Sequence, residues 1–312
     1  MVQNETYFES HDGTKLYLYR WTPDRQAEVS QPKVEKPKAV LHIVHGMAEH
    51  ALRYRPLAEK LTSAGIEVWA ADQRGHGKTA DLNINKPGRG GILGHCADGN
   101  ASVPVAKDIH FINAEIKKSV NAPVFLLGHS WGSFITQYYV EEYTDDLLIN
   151  GCILSGSKGP GDFLVKAGFP VLALIAALRG QRKGSRLAKA MADGQYNTPF
   201  KPNRTQFDWL SRDEKEVDKY ITDPLCGFLC SSGFYRDIAK LLNHVHRNEA
   251  MAKIKKDLPV YIFSGSSDPV SGMGVSATAL VNAYQNLGIN NLEFVLYPGA
   301  RHETLKETNC EE

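Results

Sequence analysis

Short apolar runs alternate along the chain with stretches in which apolar residues recur every three or four positions. The runs are ETYFES (5–10), KLYLYRW (15–21), AVLHIV (39–44), EVWAA (67–71), PVFLLG (123–128), GCILSG (151–156), PVYIFSG (259–265) and LEFVLY (292–297). The first two flank Asp12-Gly13, a hairpin signal. The others are almost continuously apolar, as strands covered on both faces are, and this predicts a parallel sheet. Helical periodicity near 53–64, 103–119, 131–143 and 275–288 falls between them. Such alternation predicts a doubly wound α/β fold with about eight strands. Residues 26–39 are polar and proline-bearing, which reads as an exposed connection.

The alternation breaks once. Residues 158–257 carry helical periodicity and no convincing strand. They are expected to form a helical cap inserted over the strand carboxyl ends, with 1–157 and 258–312 as the core. The most apolar stretch, FLVKAGFPVLALIAAL (163–178), lies in this insertion. It is interrupted by Lys166 and Pro170 and falls short of the roughly 20 residues that span a bilayer.

Composition narrows the partners. The 312 residues are 42% hydrophobic and 23% charged, with a net charge of +1. No global field draws such a chain to nucleic acid or an acidic membrane. Five scattered cysteines and an N-terminus without a basic start and apolar run point to a reduced, cytoplasmic protein. Cys226 and Cys230 are spaced to share a helix face, and they read as two small buried side chains rather than a redox or metal pair. Neither a metal nor a cofactor is expected.

The candidate chemistry centres on GHSWGS (128–133). Gly128 and Gly132 flank Ser130 in G-x-S-x-G, between a strand run and a helical pattern, the setting of a nucleophile elbow. A cap role for Ser130 would leave both glycines unexplained. A serine nucleophile needs an imidazole, a carboxylate to orient it and two N–H donors, each at a strand's carboxyl end. Asp268 follows the strand run 259–265, and His302 follows the last run after Pro298-Gly299. Asp162, after the run 151–156, is the next candidate acid. Among other histidines, His129 is expected to point away from Ser130, His42 to lie in the core, and His244 and His246 to belong to the cap. The Trp131 amide is one expected oxyanion donor, and Met47 in HGMAEH (45–50) is placed to give the other.

These segments together resemble the α/β-hydrolase superfamily. The residues are His45, Gly46, Glu49 and His50; Asp72, Arg74, Gly75, His76 and Gly77; the GHSWGS elbow; SGSSDPV; and ARH. More closely they resemble the monoacylglycerol lipase and lysophospholipase-like group of capped serine hydrolases, also described as serine aminopeptidase-like. The resemblance covers most of 1–157 and 258–305. It implies cofactor-free hydrolysis of a carboxylic ester, with oxyanion N–H groups at Met47 and Trp131. It casts Glu49, Arg74 and His76 as an ion-pair or hydrogen-bond scaffold for the oxyanion loop. Trp131 and Ser133 stand where the group commonly has Met and Gly, and Ala48 stands where Gly is frequent. The chain reaches Glu312 ten residues after His302, where relatives carry a longer closing helix, so an abbreviated brace for His302 is expected.

The expected partner is a small acyl ester, including lipid esters. The apolar stretch 163–178 offers a lining for an acyl chain, and RGQRKGSRLAK (179–189) offers transient contact with an anionic membrane surface. The same machinery could instead cleave an N-terminal peptide bond, with Asp162, Asp193, Asp208 or Asp223 holding the substrate ammonium. Lyases and cofactor-free peroxidases share the fold, and a binding protein that has lost turnover is the remaining alternative.

Overall fold

The computed structural model describes residues 1–24 and 36–311. Most of the expected connection, 26–35, lies outside the described residues. Eight strands form one sheet in the order β1-β2-β4-β3-β5-β6-β7-β8. They are β1 (Val2–Glu9), β2 (Lys15–Thr22), β3 (Ala39–Val44), β4 (Ile66–Ala71), β5 (Val124–His129), β6 (Gly151–Ser155), β7 (Val260–Gly265) and β8 (Leu292–Tyr297). β1 and β2 pair antiparallel, β2 joins β4 antiparallel, and every other pairing is parallel. Every strand run read from the sequence is thus a strand.

Helices cover both faces. On one side, α3 (Ser102–Ser119) turns Val105, Ile109, Ile112 and Ile116 inward at helical spacing. It shares a hydrophobic cluster with α4 (Trp131–Glu142) and β5. On the other, α1 (Arg55–Ser63) packs against β2, β3 and β4. α2 (Gly77–Leu82) is a short helix that its weakly periodic sequence did not signal. α10 (Val275–Asn286) follows β7.

Between β6 and β7 lie α5 (Phe163–Arg179), α6 (Arg186–Ala192), α7 (Glu214–Thr222), α8 (Ser232–Val245) and α9 (Asn248–Met251). Asp162 caps α5, accepting Leu164 N–H at 2.9 Å. α8 buries Phe234, Leu241 and Val245 in the same cluster as α4, so it fixes the insertion to the core. Cys226 and Cys230 lie in the connection between α7 and α8, not on a helix face. All five cysteines are unpaired. No helix among the described residues is long and apolar enough to cross a membrane.

The parallel register sets the site. Val44 pairs with Gly128, His129 with Ser155, and Gly265 with Tyr297. The strands therefore end nearly level, and the loops at 45–50, 130, 266–268 and 298–302 gather along one sheet edge.

Candidate active site

Ser130 sits between β5 and α4 at φ 52° and ψ −121°, in a region side-chain-bearing residues rarely occupy. The strain is held by its surroundings. Its N–H donates to Ser155 O at 2.9 Å, and its C=O accepts from Ser133 N–H at 2.8 Å. Close packing explains the flanking glycines. A Cβ on Gly132 would lie 2.1 Å from Val44 O, and one on Gly128 would lie 2.4 Å from Gly132 O.

His302 and Asp268 are brought together by the ends of β8 and β7. His302 Nδ1 lies 3.0 Å from Asp268 Oδ1. Asp268 also accepts Val270 N–H at 2.8 Å and the Ser264 hydroxyl at 3.0 Å. Both side chains are buried. Burial opposes the charged ring of His302, but the charge and hydrogen bond of Asp268 outweigh it and raise the pKa above the ordinary value. Burial likewise opposes the Asp268 carboxylate, yet His302 draws its pKa below the ordinary value. Ser130 and His302 line one small pocket with Met47 and His129. Asp162 is elsewhere, bound to Lys158 at the start of α5.

His129 does not point away from Ser130. The β5–β6 register aims it at Ser155 Oγ, 3.1 Å from Nδ1, and its ring centre stands 4.7 Å from that of His302. Burial, with the nearby His302, pushes its pKa down to about 4, so it stays neutral. His42 is a core residue as expected, 2.8 Å from Asn113 Oδ1. His244 and His246 lie in and just after α8, in the insertion.

The loop after β3 carries Met47. Neither the Met47 nor the Trp131 amide donates to an acceptor among the described residues, and Trp131 opens α4, whose N-terminal dipole favours negative charge. Ala48 stands at φ 53°, the left-handed region that favours glycine. Its N–H donates to His76 Nε2 at 3.2 Å, and its C=O accepts both Gly227 N–H and the Tyr220 hydroxyl at 2.9 Å. His76 therefore holds the loop, as expected.

Glu49 also holds it, but through partners the sequence did not reveal. Glu49 Oε1 accepts Gly46 N–H at 2.5 Å, and Oε2 meets Arg53 Nη1 at 2.6 Å. Arg53 binds Glu303 at 2.6 and 2.8 Å, and Lys306 lies 3.6 Å from Glu303 and 3.8 Å from Glu49. Burial opposes both carboxylates, but Arg53 and Lys306 hold Glu49 well below the carboxylate range and Glu303 at about 2. Arg74 enters the scaffold only through its C=O, which accepts from His76 Nδ1 at 2.9 Å; its guanidinium lies outside it. It forks onto Asp108 and Asp12, tying α3 to the β1–β2 turn.

The two departures at the elbow are absorbed by hydrogen bonds. Trp131 Nε1 donates to Gln73 Oε1 at 3.1 Å, and Gln73 Nε2 donates to His45 O at 2.6 Å. Ser133 Oγ bonds Ser130 O at 2.6 Å and Ser157 Oγ at 2.9 Å.

The remaining wall comes from the insertion. Phe207, Trp209, Leu210, Tyr220 and Phe228 supply apolar surface, and Lys189 and Asp193 pair across 2.6 Å. No residue of 163–178 lines this pocket. Leu172, Ile175 and Ala176 are buried, whereas Phe163, Leu164, Leu174 and Leu178 face solvent. The cavity is about 40 Å³, room for roughly three waters at the about 10–15 Å³ each needs.

The family profile described as serine aminopeptidase, S33, matches residues 35–309. A monoglyceride lipase homolog of Monkeypox virus is 28% identical over 302 residues, covering 96% of this chain and 90% of its own. A monoacylglycerol lipase of Mycolicibacterium smegmatis is 25% identical, covering 98% and 92%. The crystal structure of a thermostable carboxyl esterase from Bacillus coagulans, in complex with glycerol, superposes with a TM-score of 0.83 at 25% identity, covering 98% and 93%. A profile match running from before β3 to past His302, on a sheet of this order, places the chain in the serine aminopeptidase S33 family of the α/β-hydrolase fold.

Proposed function

We propose that the protein hydrolyses carboxylic esters through an acyl-enzyme on Ser130. The observation that carries this reading is the meeting of a backbone-strained Ser130 with His302 in one pocket, where Asp268 holds the imidazole at 3.0 Å. Ser130 Oγ attacks the ester carbonyl as His302 takes its proton. Asp268 orients the ring and stabilises its charge. The Met47 and Trp131 amides receive the oxyanion at the head of α4. His302 then protonates the departing alcohol, and water cleaves the acyl-enzyme by the reverse roles. Each step uses only these groups and water.

The esterase and lipase relatives support a small acyl ester, monoacylglycerol-like, as the substrate class. Residues 158–257 act as the cap. This reading includes movement of the cap to admit a lipid ester to Ser130. The solvent-facing side of α5 is the surface through which the enzyme touches a lipid interface. A cytoplasmic location belongs to the same reading.

Peptidase activity is the second reading, because Asp193 lines the Ser130 pocket and could meet a substrate ammonium. Lys189, 2.6 Å away, already neutralises it and counts against that role. Asp162, Asp208 and Asp223 are committed to Lys158, to Thr205 and Arg204, and to His50.

The test is a fluorophosphonate probe with a panel of p-nitrophenyl esters and aminoacyl-amides. Wild-type protein should label and cleave esters, and Ser130→Ala should do neither. An unlabelled wild type would end the reading. Cleavage of amides over esters would replace it with the peptidase.

A further inference from the structure

The seam between the oxyanion loop and the insertion brings together three metal-ligating side chains. His50 ends the loop after β3, Asp223 follows α7, and Cys226 lies three residues on in the connection to α8. His50 Nε2 and Asp223 Oδ2 are 2.9 Å apart, and with the Cys226 sulfur all three ligand atoms fall within 4.8 Å of one another. His50 and Cys226 are buried, while Asp223 is partly exposed and opens a path from solvent.

We propose that His50, Asp223 and Cys226 bind a divalent transition-metal ion, best matched by zinc. A mixed nitrogen, oxygen and sulfur donor set suits zinc and does not suit calcium or magnesium, which take oxygen. Three protein ligands and one water make a tetrahedral site. Bond lengths of about 2.0–2.3 Å require the present spread to contract by about 1 Å. The Cys226 segment is an irregular connection, which can supply that movement.

Charge permits the ion. Burial raises the pKa of the Cys226 thiol and Arg53 opposes that rise, so the ion has to displace the thiol proton; Glu49 and Glu303 compensate Arg53 at 2.6 Å. On binding, the Cys226 S–H bond breaks, a metal–sulfur bond forms and the proton leaves to water. The His50–Asp223 hydrogen bond gives way to two metal bonds, and the imidazole proton moves through water from Nε2 to Nδ1, so that Nε2 ligates the ion and the ring stays neutral. Two anionic ligands then balance a dication, with no change of oxidation state. Ala48 O already accepts from Tyr220 and Gly227 on either side of the Asp223–Cys226 segment, so the ion would fasten an existing contact.

Sequence distance hides this site, since His50 and Asp223 are 173 residues apart. Titration of the chelator-stripped full chain with zinc chloride, followed by calorimetry and thermal melting, tests it. One ion per chain should bind and raise the melting temperature. Asp223→Asn and Cys226→Ser should each weaken binding by more than the roughly tenfold that losing an outer-shell partner costs. Cys310→Ser, at the exposed thiol, should leave it unchanged. Cobalt(II) should give a thiolate charge-transfer band that Cys226→Ser abolishes. The absence of a saturable site, full affinity in Cys226→Ser, or bound cobalt without a thiolate band in the wild type would each overturn the assignment. The last of these decides the question even if the variants fail to fold.

Discussion

Arg53 grips Glu303 through both guanidinium ends, at 2.6 and 2.8 Å, and Glu303 is the residue after His302. The same guanidinium reaches Glu49, which accepts the Gly46 amide beside Met47. One cation therefore spans the loop that carries the proposed oxyanion donor and the loop that carries the proposed base. Removing one partner of a buried ion pair costs about 3–5 kcal/mol, because the other charge is left uncompensated. Arg53→Met should lower the melting temperature accordingly and depress kcat, with Arg53→Lys intermediate because it keeps the charge and loses the fork. Thermal melts and steady-state kinetics check this. Wild-type kcat in a folded Arg53→Met would mean that the two loops are placed independently.

The strands were legible because each is a compact apolar run, and Ser130, Asp268 and His302 were legible as candidates because each falls just past such a run. The Arg53 network was not legible. Arg53 and Glu303 stand 250 residues apart, and neither follows a recognisable pattern. His129 shows the limit of local reasoning. Its place beside Ser130, the proposed nucleophile, suggested a direction, but pairing with Ser155 across β5 and β6 decided it. The stretch 163–178 shows another limit. Apolarity states a demand for burial but not which surface meets it. In α5 the core takes Leu172 while Leu174 and Leu178 stay outside.

The pH profile follows from His302. Burial opposes its charged form, but Asp268, with help from Glu303 and Glu49, raises its pKa above 6.5. As the proposed base, His302 must be neutral to take the Ser130 proton. Activity should therefore fall as pH drops, with a midpoint in kcat/KM above 6.5. Asp268→Asn removes the group that raises the pKa, so the midpoint should move to lower pH while the rate falls on the order of 10³–10⁴-fold. An acidic limb that Asp268→Asn leaves in place would detach Asp268 from the base.

Trp131 separates a side-chain role from a backbone one. Trp131→Met leaves Gln73 Oε1 without its donor in a buried site. An unsatisfied buried group costs about 1–3 kcal/mol, so stability should fall by at least that much. The backbone N–H at 131 survives, so kcat should drop far less than the about 10²–10³-fold expected for loss of an oxyanion donor. Paired melting and kinetic measurements test this, and a collapse of kcat without loss of stability would contradict it.

Glu141 on α4 is buried, and neither of its carboxyl oxygens has a partner among the described residues. Burial raises its pKa well above 4.5. The folded protein keeps the group neutral while the unfolded chain ionises above about 4.3. Glu141 therefore lowers stability progressively as pH rises from there, until the folded-state group also ionises. Glu141→Gln removes that proton linkage. It should raise the melting temperature more at pH about 8 than at pH about 4. Melts of both proteins across this range would show it, and a gain independent of pH would point to a neutral packing effect instead.

The solvent side of α5 carries the last prediction. Leu174 is 57% exposed, Leu178 77%, Phe163 75% and Leu164 78%, none of them on the Ser130 pocket. An acyl lining would require these side chains inside, so polar substitution there should not flatten an acyl-length series measured on soluble esters. Lipid contact makes a different demand. Fully burying a leucine is worth about 1.5–3 kcal/mol, and 1.4 kcal/mol is tenfold in a partition constant. Leu174→Ser and Leu178→Ser should each weaken vesicle binding by up to roughly tenfold or more, with little change in stability at such exposed sites. In the basic run, Arg182 and Lys189 are engaged by Asp98 and Asp193. Arg179, Lys183 and Arg186 then remain to meet anionic lipid, at about 1 kcal/mol each. Cosedimentation with neutral and anionic vesicles, beside hydrolysis of p-nitrophenyl butyrate, separates the two uses. Binding to vesicles should fall in the leucine variants and rise with anionic lipid, while butyrate turnover stays at the wild-type level. Variants that bind vesicles as the wild type does would leave α5 without an interfacial role, and a selective loss on long soluble esters would return it to the acyl pocket.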